Sequence, residues 1–305
     1  MWPAGWMIER YFSLTDNKTK SLDRGTVAKL WGVDKNYAGV ALHELRGALL
    51  IDRPRRGEYL LVDPERWMGV HSFLARNPEV RTELVELLRD SMNQIESLVL
   101  YGSRVWGGAD KLSDWDFLIV LRSHETRELV SSKLRQIQRR NPKFDAEVLS
   151  LRDFQEFLHK DPIFLKLVAR DSEPILDWGL MGIAGAAKIT RKHAAVELLV
   201  ARYDILRGVA LAEGKLKSKA CYWLARGLRR TLAAKLSMQG NLSGKMLEEE
   251  FMSCLPGEKI REMIRKMRIK RVAEMGGEML KILMERAILE WERTSRELPK
   301  YGEEA

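Results

Sequence analysis

The feature that most constrains this chain is an ordered set of residues between positions 96 and 149. Glu96-Ser97-Leu98-Val99-Leu100-Tyr101 is an apolar run of strand character that stops at Gly102-Ser103. Ten residues later comes Asp114-Trp115-Asp116, which leads into a second apolar run, Phe117 to Leu121. A helix is expected over about His124 to Arg139. After it, Phe144-Asp145-Ala146-Glu147-Val148-Leu149 alternates apolar and acidic positions like a third strand.

Side chains on a strand alternate between faces, so Asp114 and Asp116 share one face, and on the third strand Asp145 and Glu147 again share one face. Carboxylates on one face at a strand end repel each other unless a cation lies between them. Aspartate is a hard oxygen ligand suited to Mg²⁺ (Mn²⁺ is the alternative), which is usually held by one or two carboxylates together with substrate phosphates. If the third strand lies beside the second, three carboxylates converge, a set that can hold divalent ions for in-line phosphoryl transfer. The Gly102-Ser103 bend supplies the complementary part. Glycine lets backbone N–H groups approach a phosphate, Ser103 adds a hydroxyl donor and Arg104 adds a positive charge. Each piece alone is common; the ordered set is specific.

The segment from Leu100 to Leu121 resembles the nucleotidyltransferase superfamily that includes DNA polymerase β. It looks most like the minimal branch, whose signature runs Gly-Ser-Arg-X-X-Gly and then Ser-Asp-X-Asp. The resemblance spans about residues 78–178. It implies that Asp114, Asp116 and Asp145 bind metal and act in catalysis, with Asp145 assisting deprotonation of an acceptor hydroxyl. It also implies that Gly102 and Ser103 hold the triphosphate of an NTP, ATP being one candidate. Trp106 departs from the pattern, which commonly has a small or basic residue there, and this bears on base or acceptor contacts.

Upstream, residues 1–70 read as a winged helix-turn-helix. Trp6 to Phe12 is a first helix. Asp23 opens a short helix, Thr26 to Trp31, which Gly32 stops. Asp34 is the N-cap expected for Lys35 to Arg46. Leu49 to Arg53 and Glu58 to Val62 are strand-like, with Pro54-Arg55-Arg56-Gly57 as the turn between them. In such folds the second helix enters the major groove and basic wing residues touch backbone. The nucleic-acid candidates are therefore Lys35, Asn36, Tyr37, Arg53, Arg55 and Arg56. A protein-contact role for this module is the alternative.

Downstream, residues 183–305 hold 25 basic and 16 acidic side chains, net +9, which equals the net charge of the whole chain. Helices are expected over Lys188 to Glu213, Leu216 to Gln239, Gly244 to Cys254, Glu258 to Arg268 and Arg271 to Arg296. Met263/Met267 and Met275/Met279 recur at helical spacing and read as bundle core. Related nucleotidyltransferases often close their cleft with such a domain, which makes Lys219 and Arg226 candidates for phosphate contacts. The basic run Lys259 to Arg271 reads as a solvated face.

The remaining composition excludes other chemistry. Cys221 and Cys254 are too few for a disulfide framework or a four-thiolate zinc site. No run of about 18 uncharged apolar residues exists, so no membrane span is expected, and a cytoplasmic protein is the default. Arg66/His71 and Arg152/His159 match a nuclease-like Arg–His spacing but lie outside the C-terminal region, and they read as coincidence. His193 reads as a surface or packing residue.

The expected fold is α+β. It comprises a winged helix-turn-helix over 1–70, a polymerase β-like nucleotidyltransferase α/β domain over 71–182 and a basic all-helical domain over 183–305. The expected function is metal-dependent transfer of NMP from an NTP to an acceptor, with a tRNA, other RNA or polynucleotide end favoured. A toxin–antitoxin or mobile-element setting is a further expectation by resemblance, with an antitoxin or a second copy as candidate partners. The alternative is a winged-helix DNA-binding regulator whose nucleotidyltransferase domain senses nucleotide or is inactive.

Overall fold

The computed structural model describes residues 2–15, 22–107, 113–256 and 277–300. Their contacts divide the chain into two compact units. One holds residues 1–100, 114–154 and 173–180, and the other holds 101–113, 155–172 and 181–305. This is not the three-part division expected from composition. A boundary at 70 falls inside a helix, Pro64–Arg76, and one at 182 falls inside another, Leu180–Ala186. Composition marks changes of surface charge, whereas contacts follow buried apolar faces.

The first unit begins with α1 (Gly5–Thr15), α2 (Arg24–Trp31) and α3 (Lys35–Gly47). The expected caps are in place. The Asp23 carboxylate accepts from the N–H groups of Gly25 and Thr26, Gly32 ends α2 at φ 64°, and the Asp34 carboxylate accepts from Asn36 and Tyr37. An antiparallel hairpin follows, β1 (Ile51–Arg55) and β2 (Glu58–Leu61). Leu22 extends it by exchanging two 2.8 Å backbone hydrogen bonds with Tyr59. The turn is tighter than the sequence suggested. The strand runs on through Pro54 to Arg55, and a register shift between Asp52 and Arg55 accommodates a residue that has no N–H to give to the ladder. Gly57 takes the left-handed turn position at φ 86°.

Buried polar contacts anchor these elements to the segment that follows. The Tyr11 hydroxyl donates to the Val62 carbonyl at 2.6 Å, and the Arg46 guanidinium is paired with Asp90. Asp52, 4 % exposed, accepts from the backbone N–H groups of Met92 and Asn93. Burial pushes the Asp52 carboxyl up to about 6, against the lowering effect of those two hydrogen bonds. The two nuclease-like residues near here are structural. Buried Arg66 donates to the carbonyls of Met92 and Ile95, and the His71 imidazole meets the Ala48 carbonyl at 2.8 Å.

The centre of this unit is a four-stranded sheet in the order β5-β4-β3-β6. Its strands are β3 (Ile95–Tyr101), β4 (Trp115–Leu121), β5 (Phe144–Ser150) and β6 (Ser172–Asp177). α4 (Pro64–Arg76) lays Phe73 edge-on against Trp115 and Phe117, and Phe117 packs on Phe144 at 5.3 Å. α5 (Arg81–Leu88) precedes β3, and α6 (His124–Arg140) joins β4 to β5, burying Val130, Leu134 and Ile137 at helical spacing. β4 and β5 are parallel and in continuous register from Trp115↔Phe144 to Leu121↔Ser150.

The second unit is largely helical. α7 (Leu151–Lys160) runs into it, followed by α8 (Pro162–Arg170) and α9 (Leu180–Ala186). Its long elements are α10 (Arg191–Glu213), α11 (Lys217–Met238), α12 (Gly244–Ser253) and α13 (Gly277–Glu297). α10 starts three residues later than expected because Thr190 is its N-cap and forms a reciprocal capping box with His193, which is thereby a structural residue. α10 and α11 form an antiparallel pair whose close approach depends on two glycines. A Cβ on Gly208 would lie 2.6 Å from Leu224 Cγ, and one on Gly227 would lie 2.6 Å from Ile205 Cγ1. The expected helix Glu258 to Arg268, the start of the last expected helix, the basic run Lys259 to Arg271 and the two methionine pairs lie outside the residues whose side chains are described. No helix among the described residues is long and apolar enough to cross a membrane.

Two outcomes follow from the packing. Gly227→Ala, introducing a methyl where Ile205 and the Ala201 carbonyl leave no room, should destabilise the protein by about 1–3 kcal/mol in chemical denaturation. Asp52 binds its proton more tightly folded than unfolded, so its contribution to stability is lost as pH rises from about 4 through about 6. The wild type should therefore lose about 2 kcal/mol relative to Asp52→Asn between pH 4 and pH 7, read from urea midpoints at the two pH values.

Candidate active site

The parallel register of β4 and β5 decides which carboxylates meet. Asp116 and Asp145 are direct register partners, so their side chains leave the same face of the sheet from adjacent strands. That face is opposite the aromatic one, because Trp115 and Phe117 alternate with Asp116, and Phe144 precedes Asp145. Asp114 directly precedes β4 and is half-buried, as is Asp116, whereas Asp145 is exposed.

α6 orients Asp145. Gln138 Nε2 donates to Asp145 Oδ1 at 2.7 Å, and the same oxygen accepts from the Ala146 N–H at 2.9 Å. Oδ1 is thus fixed by two donors, a constraint that nothing in the sequence pattern announced, since a glutamine on a charged helix carries no signal of its own. Glu147 lies two residues further along, opposite Leu118. Desolvation raises the Glu147 carboxyl above its ordinary range, the negative charge of Asp145 adds to this, and Arg127 opposes it. Among the described residues no three His, Cys, Asp or Glu side chains group so as to hold a metal ion by themselves. Asp116 and Asp145 stand side by side across the two strands.

The Gly-Ser bend belongs to the second unit. Gly102–Arg104 is a single 3₁₀ turn directly after β3, with Gly102 at φ 81°, a conformation a side chain would strain. Ser103 is buried at 4 % exposure. Arg104 Nη2 donates to the Ser113 carbonyl at 2.7 Å and so ties together the two ends of the connection to β4. Gly107, at φ 84°, is exposed, and Gly108 lies outside the described residues. Trp106 packs against the start of α12, where a Cβ on Gly244 would lie 3.2 Å from its Nε1. Asp171 accepts from the Gly244 N–H, and Arg170 Nη1 donates to the Leu242 carbonyl at 3.0 Å. The unusual tryptophan thus has a packing partner within its own unit.

The two candidates on α11 differ. Lys219 is exposed. Arg226 Nε lies 3.2 Å from Asp204 Oδ2, and Arg230 donates to both oxygens of Glu197 at 2.9 and 2.8 Å. Asp204 and Glu197 are buried acids on α10. Burial pushes Glu197 up to about 7, with Arg230 opposing and Asp161 adding to the rise. The guanidinium of Arg226 is therefore already engaged inside the helical pair, which the spacing of basic residues along one helix could not reveal.

In the N-terminal elements Lys35, Asn36 and Tyr37 are all exposed at the start of α3, and so is Glu44 further along the helix. Arg55 and Arg56 are exposed at the hairpin tip. Arg53 is half-buried, stacked over the Tyr59 ring at 5.7 Å, with its backbone N–H donating to Asp90.

Residues 79–168, which span β3, β4 and β5 and the carboxylates just described, match the family model described as nucleotidyltransferase domain. This stretch is a nucleotidyltransferase domain. No curated protein is detectably similar to the chain. Among solved structures, the spectinomycin adenyltransferase of Enterococcus faecialis, determined with ATP and spectinomycin, is 15 % identical. The alignment covers 69 % of this chain and 99 % of that one at a TM-score of 0.45. A toxin–antitoxin structure with AMP-PNP is also 15 % identical over 34 % of this chain and 78 % of that one, at a TM-score of 0.24. Likeness this loose says nothing about the acceptor; the nucleotidyltransferase domain rests on the family match.

The engaged and exposed cations of α11 separate in a stability measurement. Arg230→Met leaves Glu197 buried without its partner and should cost about 3 kcal/mol or more, whereas Lys219→Ala should leave the thermal midpoint unchanged.

Proposed function

We propose that the protein transfers NMP from an NTP, ATP being one candidate, to an acceptor hydroxyl with release of pyrophosphate. The observation that carries this reading is the cross-strand pair Asp116–Asp145 inside a nucleotidyltransferase domain. Asp114 and Asp116 are the residues proposed to hold Mg²⁺ or Mn²⁺ together with the nucleotide phosphates, and Asp145 the one proposed to complete the set. The ion, when bound, neutralises charge on the phosphates and on the leaving pyrophosphate.

The chain's own groups do the rest. Gly102 and Ser103 present a backbone N–H and a hydroxyl of the kind that hold phosphate oxygens. Arg104, bonded to the Ser113 carbonyl, keeps the bend closed. Asp145 has its Oδ1 committed to Gln138 and Ala146, so Oδ2 is the oxygen that takes the acceptor proton as its hydroxyl attacks the α-phosphorus. Holding acceptor and nucleotide in line supplies much of the acceleration.

For the acceptor we favour an RNA or other polynucleotide end. The support is the helix–hairpin arrangement of the N-terminal elements, read as a winged helix. It exposes Lys35, Asn36 and Tyr37 at a helix start and Arg55 and Arg56 at a hairpin tip, groups suited to phosphate and base-edge contacts.

Incubation with each α-labelled NTP, Mg²⁺ or Mn²⁺ and total RNA should give labelled RNA. Asp116→Asn and Asp145→Asn should each lower the rate about a hundredfold or more while leaving the thermal midpoint within a few degrees of wild type. Full turnover in either variant would remove these carboxylates from the mechanism. Specific duplex DNA binding without transfer to any acceptor would favour the regulator reading instead.

A further inference from the structure

The exposed face of α10 is apolar along a line. Val196, Leu199, Tyr203 and Leu206 are 40, 63, 63 and 57 % exposed and follow one another at spacings of three, four and three residues. That is the seam spacing by which one helix packs along another. The opposite face of the same helix, through Ala194, Leu198, Ala201, Ile205 and Gly208, is already buried within the second unit. A helix of 23 residues with apolar side chains on both faces has more packing surface than its own fold uses.

The charges beside the line restrict what can cover it. Arg202 and Arg207 flank the seam on either side, both exposed. Each is held over an indole ring, Arg202 over Trp291 at 5.3 Å and Arg207 over Trp223 at 3.9 Å, and neither makes an ion pair among the described residues. The stacking restrains the two guanidinium groups of residues that flank the seam. The acids of α10 lie elsewhere, with Glu197 and Asp204 buried and Glu213 at its C-terminal end. In a parallel pair with a second copy Arg202 would face Arg207, and in an antiparallel pair each flank would face itself, so both arrangements oppose like charges. Of the four seam residues Tyr203 alone offers a base a stacking surface, and aliphatic Val196, Leu199 and Leu206 offer none, which disfavours a nucleic-acid strand tracking the seam.

We infer that this face of α10 docks an amphipathic helix of another protein, one with an apolar seam flanked by acidic residues. This surface lies outside the nucleotidyltransferase domain, and the inference does not depend on the proposed reaction. The probe is a labelled helical peptide of about three heptads with leucine along the seam and glutamate on both flanks, compared with the same peptide carrying lysine flanks. Titrated with full-length protein at low salt, the glutamate peptide should bind roughly tenfold or more tighter than the lysine peptide. Arg202→Glu/Arg207→Glu should reverse that order, and Leu199→Asp, at a position that is largely solvent already, should abolish binding with the helical circular dichroism retained. Several results would overturn the inference. One is equal or absent binding of the two peptides, and another is binding indifferent to Leu199→Asp. A self-associated wild type that Leu199→Asp converts to monomer in sedimentation, or displacement of the peptide by single-stranded RNA or anionic vesicles, would assign the face to another occupant.

Discussion

Everything proposed for the reaction depends on one register. Seven consecutive parallel pairings, from Trp115↔Phe144 to Leu121↔Ser150, place Asp116 beside Asp145, and a slip of one residue would send one of them to the aromatic face. Two like charges opposite each other weaken a sheet. The register is held instead from the other side, where Phe117 touches both Phe73 and Phe144 and Trp115 joins them. The apolar face thus carries the stability, and the polar face is free to hold the two carboxylates side by side. The arrangement of Asp145, with one oxygen tied by Gln138 and the Ala146 N–H, continues that division of labour. The residue is oriented by neutral donors that leave its charge uncompensated.

Much of this was legible in the sequence, for identifiable reasons. Asp23 and Asp34 cap α2 and α3 because a short acidic side chain before a helical run has little else to do, and Gly32 ends α2 because the position needs a positive φ. β4 was readable as a bounded apolar run, Phe117 to Leu121, and β5 because apolar and acidic positions alternate in it with period two. Other features left no trace in the chain. Pro54 inside β1 contradicts strand chemistry and is tolerated only because the register shifts around it. The boundaries expected from composition, 70 and 182, each lie inside a helix, Pro64–Arg76 and Leu180–Ala186. Gln138 and the engagement of Arg226 by Asp204 depend on which residue faces which across two elements, information that one-dimensional spacing does not hold.

The basic excess of residues 183–305 shows how composition and structure can point in different directions. A net charge of +9 suggests a phosphate-binding surface when read as a sum. In place, several of its cations are engaged within the helical unit, although such pairs leave the net excess unchanged. Arg226 and Arg230 serve Asp204 and Glu197, Arg229 pairs with Glu248 at 3.3 Å, and Lys235 lies 3.6 Å from Glu250. A cation that already has a carboxylate must break that pair before it can meet a phosphate, and where the carboxylate is buried the pair is costly to break. Two cations of α10 that make no ion pair among the described residues, Arg202 and Arg207, are set on either side of an apolar line. Charge in that setting selects among apolar partners rather than drawing in polyanions at large.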